Sequence, residues 1–162
     1  MILVASGHRA PFNRLISTLD RWAGQHRDTP VFAQIGDKGA RPVHCRWILH
    51  FADRAARDAA LDETRLLVCD ANIELLIAAV ERNLPTLILP RLAIFGEDYG
   101  DVQFRLAQRF SAYPNVRVAE NEADLLAMIG KGVPQTDFKG HANDIGIRRS
   151  LWRALHMEGA AL

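Results

Sequence analysis

Short, wholly apolar runs alternate along this chain with longer stretches in which apolar residues return every three or four positions. Ile2–Ala5, Val31–Ile35, Arg65–Cys69, Thr86–Leu89 and Val116–Val118 read as buried strands, and Val43–Leu49 is ambiguous, most simply a further short strand. Between them, Phe12, Leu15, Ile16, Leu19, Trp22 and Ala23 form a helical stripe with Arg14, Asp20 and Arg21 outside it, and Pro11 suits that helix's first turn. Asp53–Leu61 is alanine-rich and helical, and Asn72 caps a helix running to about Arg82. Asp101–Phe110 carries Val102, Leu106 and Phe110 on one face. Asn121 and Asp124 have capping-box spacing before a helix that ends near Ile129. Apolar strands alternating with helices predict an α/β fold with a doubly wound, mostly parallel, Rossmann-like sheet over residues 1–130.

The pattern changes after that. Gly130 to Gly140 reads as a loop and Asp144–His156 as a short helix, with Ile147, Leu151 and Leu155 on one side and Arg148, Arg149, Arg153 and His156 around the rest. Residues 131–162 therefore form a loop and a basic amphipathic helix that packs on its own domain or serves as a docking surface for a partner or an anionic membrane face.

Composition narrows the functional classes. The chain has 162 residues, 49% apolar and 24% charged, with a net charge of +1, so no global basic field recruits nucleic acid. Two cysteines, Cys45 and Cys69, make no disulfide framework and fit a reducing compartment. Met1–Ala5 is too short for a secretion signal or a membrane span, which predicts a cytoplasmic protein that a partner must bring to any membrane.

Candidate chemistry gathers where strands end. Ser6-Gly7-His8 follows the first strand and precedes a helix, where N–H groups and the helix dipole hold phosphate; an ordinary βα turn explains a single glycine equally well. His8 is the candidate catalytic residue, acting on a diphosphate or in acid–base chemistry, or else it caps the turn. Pro90-Arg91 opens a second loop holding Arg91, Glu97, Asp101 and Gln103, polar groups suited to a sugar nucleotide at the carboxyl end of a strand. His44, Cys45, His50 and Asp53 match no common zinc spacing, and Cys69 ends an apolar strand as a core residue would. No metal and no cofactor is expected.

These stretches resemble the C-terminal domain of glycosyltransferase family 28 in its single-domain form, the donor-binding subunit of two-component enzymes in bacterial exopolysaccharide synthesis and the dolichol pathway. The family opens Gly-Thr-His-x-x-Pro-Phe-Asp-Arg-Leu after its first strand; here the stretch runs Ser6-Gly7-His8-Arg9-Ala10-Pro11-Phe12-Asn13-Arg14-Leu15. Gln34-Ile35-Gly36 matches a second motif, and Pro90-Arg91, Phe95-Gly96-Glu97, Asp101 and Gln103 match a third. The resemblance implies half of a GT-B enzyme that transfers a sugar with inversion, and without a metal, from a UDP-sugar to a lipid-linked acceptor. It implies a membrane-anchored acceptor-binding subunit at the inner face of the membrane, and a homo-oligomer is a further expectation. Carried over residue by residue, it makes His8 and Arg91 stabilisers of the leaving diphosphate. Gln103 and Glu97 would hold hydroxyls, and Ser6, Gly7, Gly36, Asn72 and Asp101 would line the nucleotide-sugar site.

The departures fall in the nucleotide loop. Where the family has Ser-His-Ala/Gly-Gly-x-Gly, this chain has Cys69-Asp70-Ala71-Asn72-Ile73-Glu74, with both glycines gone. Glu74 adds repulsion beside a diphosphate, and the acidic ribose-holding position falls at Ala78. Three readings follow: a donor-binding transferase subunit, a non-catalytic regulatory or scaffolding member, and a small-molecule binder of altered ligand choice.

Overall fold

A computed structural model describes residues 1–7, 10–100 and 102–131. Six strands, β1 (Ile2–Ala5), β2 (Val31–Gln34), β3 (Arg46–Ile48), β4 (Leu66–Cys69), β5 (Thr86–Ile88) and β6 (Val116–Val118), form one sheet in the order β3-β2-β1-β4-β5-β6. Every neighbouring pair is parallel. The helices are α1 (Asn13–Gln25), α2 (Arg54–Asp62), α3 (Ile73–Glu81), α4 (Val102–Phe110) and α5 (Glu122–Lys131), with a 3-10 turn at Ala93–Phe95. The doubly wound, Rossmann-like reading therefore holds, because strands covered on both faces need apolar residues at every position.

Alternate strand residues feed two cores. Ile2, Val4, Val31, Ala33, Val68 and Leu87 pack against α1 and α5, through Leu15, Ile16, Leu19, Leu125 and Ile129. Leu3, Ala5, Leu67, Cys69 and Ile88 pack against α2, α3 and α4, through Leu61, Leu76, Ala79, Ala107 and Phe110. Asn72 caps α3 by accepting the Leu75 N–H at 3.1 Å, and Asp53 caps α2 by accepting the Ala56 N–H at 2.7 Å.

Boundaries differ from the pattern in places. Pro11 lies outside α1, whose N-cap is Phe12, because Phe12's carbonyl already accepts the first helical bond from Ile16. Asn121 accepts from the Asp124 N–H at 2.9 Å as a capping box requires, but Asp124 returns to the Glu120 N–H at 3.1 Å, one residue beyond the usual partner. Gly130, expected in a loop, lies in the last turn of α5. The reading of Asp144–His156 concerns residues outside those described.

The loop before β3 is held by a single carboxylate. Asp20 of α1 accepts the N–H groups of Val43 (3.0 Å), His44 (2.6 Å) and Cys45 (3.0 Å). Burial alone would raise its pKa, but these donors outweigh burial and hold it below the ordinary 3.8. A carboxyl lowered by folding stabilises the chain fully above its unfolded value, and that contribution is lost as pH falls through the folded value. We therefore expect Asp20→Asn to be less stable than the native chain near neutral pH, and the gap to narrow on acidification below the ordinary carboxylate range. Urea unfolding curves at several pH values check this; a gap independent of pH would contradict it.

Candidate functional site

The helices that follow the adjacent strands β1 and β4 go to opposite faces of the sheet, α1 to one and α3 to the other. That divergence opens a crevice above the carboxyl ends of the strands, where ligands of such sheets bind. Two adjoining hollows occupy it. The narrower, about 240 Å³, is lined by Ser6, Gln34, Phe51, Arg54, Arg57 and Leu75. The wider, about 410 Å³, is lined by Asp70, Arg91, Glu97, Asp98, Gln103 and Leu106; Gly7, Asn72 and Glu74 border both.

Of the residues singled out in the sequence, Ser6, Gly7, Asn72, Arg91, Glu97 and Gln103 line this crevice. Gly36 does not: it makes the left-handed turn after β2, with φ of 72° and an N–H donated to Leu49 at 2.9 Å. His8 and Asp101 lie outside the described residues. Gly7 is closely approached: a Cβ there would stand 3.0 Å from Asn72 Nδ2 and 3.3 Å from Asp70 Oδ2, so both side chains would have to give way by a few tenths of an ångström.

Most of these side chains are already engaged within the chain. Arg91, expected to face a diphosphate, is turned inward and only 4% exposed. Its Nε donates to Asp70 Oδ2 at 2.8 Å, Nη2 to the Ala10 carbonyl at 2.8 Å and Nη1 to the Pro11 carbonyl at 3.3 Å. The guanidinium also lies 4.6 Å from the centroid of the Phe12 ring. Arg91 thus clamps the β1–α1 connection onto β4. Glu97 grips Arg14 with both oxygens, at 2.9 and 2.8 Å, and accepts the Leu92 N–H at 3.1 Å. Gln103 Oε1 joins the two neighbouring loops by accepting from the Ala71 and Arg91 N–H groups at 3.1 and 3.2 Å. Asn72 Oδ1 is taken up by its cap, and among the described residues Ser6 Oγ reaches the Gln34 carbonyl, at 3.5 Å.

What stays available is different from the residues read in the sequence. Gln34 is 3% exposed, and its Nε2 has no hydrogen-bond partner among the described residues although it borders the narrower hollow. A buried amide N–H left unmade is costly and invites a ligand acceptor. Phe51 offers a ring beside it. Asp98 Oδ2 is likewise buried and unpartnered among the described residues, at the wider hollow. Glu74 reaches Arg57 at 3.1 Å and is otherwise mostly exposed, so its charge at the crevice is partly met. Gln34 stands in the Gln-Ile-Gly motif, the one signal that pointed to it.

The residues weighed as a metal cluster go separate ways: Cys45 is buried against α1, His50 pairs with Asp37 at 3.0 Å, and Asp53 caps α2. Among the described residues, no three His, Cys, Asp or Glu side chains gather as a metal site needs. Burial, with the charge of Asp20 beside it, pushes the Cys45 thiol up to about 12; complete burial, with Asp70's charge, raises that of Cys69 well above the ordinary value. Neither is a thiolate nucleophile near neutral pH. Among the described residues no helix is long and apolar enough to cross a membrane.

The comparison with solved structures bears on this architecture. The crystal structure of the glycotransferase of kitacinnamycin superposes with a TM-score of 0.55 at 12% identity, over 94% of this chain. Over that length the two share one α/β, Rossmann-like fold. This chain spans about a third of that one, 37% of its length. No protein-family model matches the chain, and no curated protein matches it.

Proposed function

We propose that the chain is the donor-binding half of an inverting glycosyltransferase, taking a UDP-sugar at the strand-end crevice and passing the sugar to a lipid-linked acceptor held by a membrane-anchored partner subunit. The observation that carries this reading is the buried amide of Gln34, unpartnered among the described residues, with Phe51 in the same hollow and a second, wider hollow adjoining it. A planar base with carbonyl acceptors suits the first, and a hexose with its hydroxyls suits the second, where Asp98 Oδ2 is an open acceptor.

In the transfer, the acceptor hydroxyl oxygen attacks the anomeric carbon as the bond to the diphosphate oxygen breaks. The electron pair leaves on UDP and the hydroxyl proton passes to a base, which His8 or the partner supplies. Arg54 and Arg57 line the narrower hollow and are the cations placed to meet the leaving charge, which would draw Arg57 from Glu74 (3.1 Å) and Asp58 (3.2 Å) and Arg54 from Asp58 (3.4 Å). Exposed side chains between β5 and the start of α4 offer such a partner apolar contact: Ile94, Tyr99 (97% exposed) and Val102, of which Val102 lines the wider hollow.

A second reading, a non-catalytic regulatory or scaffolding member, is favoured by Asp70, whose carboxylate lies against the Gly7 N–H where a diphosphate would seek one. Calorimetry of UDP and a UDP-sugar separates the two. The donor reading expects submillimolar binding, weakened about tenfold when Gln34→Met removes the amide donor. A folded chain that binds neither ligand up to millimolar concentration favours the non-catalytic reading.

A further inference from the structure

We infer that Asp70 is a built-in competitor for the diphosphate, an internal anion that sets how tightly this crevice holds phosphorylated ligands; the inference rests on the donor-binding reading above. Both Asp70 oxygens face the Gly7 N–H, at 3.1 and 3.0 Å, and Oδ2 also receives Arg91 Nε at 2.8 Å. At 1% exposure this carboxylate is fully buried at the switch point between β1 and β4. A main-chain N–H at the end of a strand, a buried guanidinium and a helix following the turn are the parts from which phosphate sites are built. Here a side chain fills them. Its partners are 63 and 21 residues away in sequence, so the contact belongs to the tertiary fold and not to a local turn.

The charge arithmetic decides what the crevice accepts. Asp70, which accepts the Gly7 N–H, also neutralises Arg91, and Glu74 borders both hollows. A phosphate approaching Gly7 must displace a carboxylate that is already ion-paired and hydrogen-bonded, and it meets repulsion if it does not. Uncharged parts of a ligand, a base or a sugar, meet no such rival in the Gln34 and Asp98 hollows. The crevice therefore ranks ligands by their neutral moieties and discounts their phosphates.

Removing the charge tests this. Asp70→Asn keeps the shape but leaves Arg91 without a counter-charge, so this variant is expected to be less stable than the native chain and to regain stability with inorganic pyrophosphate. Calorimetry should find UDP bound at least about tenfold more tightly by Asp70→Asn than by the native chain, pyrophosphate binding gained, and uridine affinity the same in both. UDP bound no more tightly by the variant overturns the inference. Pyrophosphate binding gained while neither protein binds uridine, and UDP no better than pyrophosphate, supports the competitor and removes the nucleotide-donor reading. Should the variant fail to fold even with pyrophosphate, amide spectra of the native chain decide. A Gly7 resonance unmoved by millimolar pyrophosphate supports the inference, and one that shifts at micromolar pyrophosphate contradicts it.

Discussion

Arg91→Ala is expected to cost the folded chain about 3–5 kcal/mol, because it leaves the Asp70 carboxylate buried without its counter-charge. The loss has three parts. The ion pair at 2.8 Å goes, the Ala10 and Pro11 carbonyls lose their donors, and the Phe12 ring loses the guanidinium stacked on it. Thermal and urea unfolding measure the cost. Asp70→Ala added to Arg91→Ala should then cost much less than the sum of the two single changes, since the second removes the charge that the first stranded. A cost below about 1 kcal/mol for Arg91→Ala, as expected of an exposed pair, would contradict this account. The expectation also bears on ligand studies: weak UDP binding by Arg91→Ala reports a loosened β1–α1 turn as much as a lost contact, which is why Gln34 makes the cleaner probe.

Phe12→Ala is expected to destabilise by a similar amount, about 3–5 kcal/mol, and to lower the midpoint of thermal unfolding by roughly 10 °C. Phe12 is fully buried, and as the N-cap of α1 it sits where the β1 turn enters the helix. Its ring carries Arg91 at 4.6 Å and Arg14 at 5.2 Å, so truncation opens a cavity beneath both cations that organise the crevice. Phe95 touches the same Arg14, at 5.0 Å, but is 58% exposed. Phe95→Ala should therefore cost under about 1 kcal/mol. Equal losses at the two positions would mean that the cation contact, and not burial, sets the energy.

The architecture was legible because its physical cause is local. Strands buried on both faces, such as Leu66–Cys69, need an unbroken apolar run, and α1 shows its buried face as a three-and-four spacing. Asn72 was legible as a cap for the same reason, its acceptor lying three residues away. The site was legible only as to place. Ser6, Gly7, Arg91, Glu97 and Gln103 all lie at the carboxyl ends of strands, as their loops required, but the direction of each side chain depends on partners remote in sequence. Arg91 and Glu97 looked free because Asp70 and Arg14, which neutralise them, are 21 and 83 residues away. Arg14 illustrates the point: the helical pattern puts it off the apolar face, and Glu97, Glu122 and the Pro90 carbonyl hold it there. Gln34 was missed as a site residue because a polar residue ending a buried strand shows its unmet amide only once the neighbouring strands are in register.

Amide spectra of the isotope-labelled chain under titration with a UDP-sugar test most directly whether a nucleotide-sugar occupies the crevice over β1, β2 and β4. Saturable shifts are expected for the Gln34 side-chain amide and for backbone signals at Phe51, Asn72 and Glu74, with α5 unmoved. Shifts confined to residues away from those strand ends, or none from a folded chain at millimolar ligand, would contradict that occupancy.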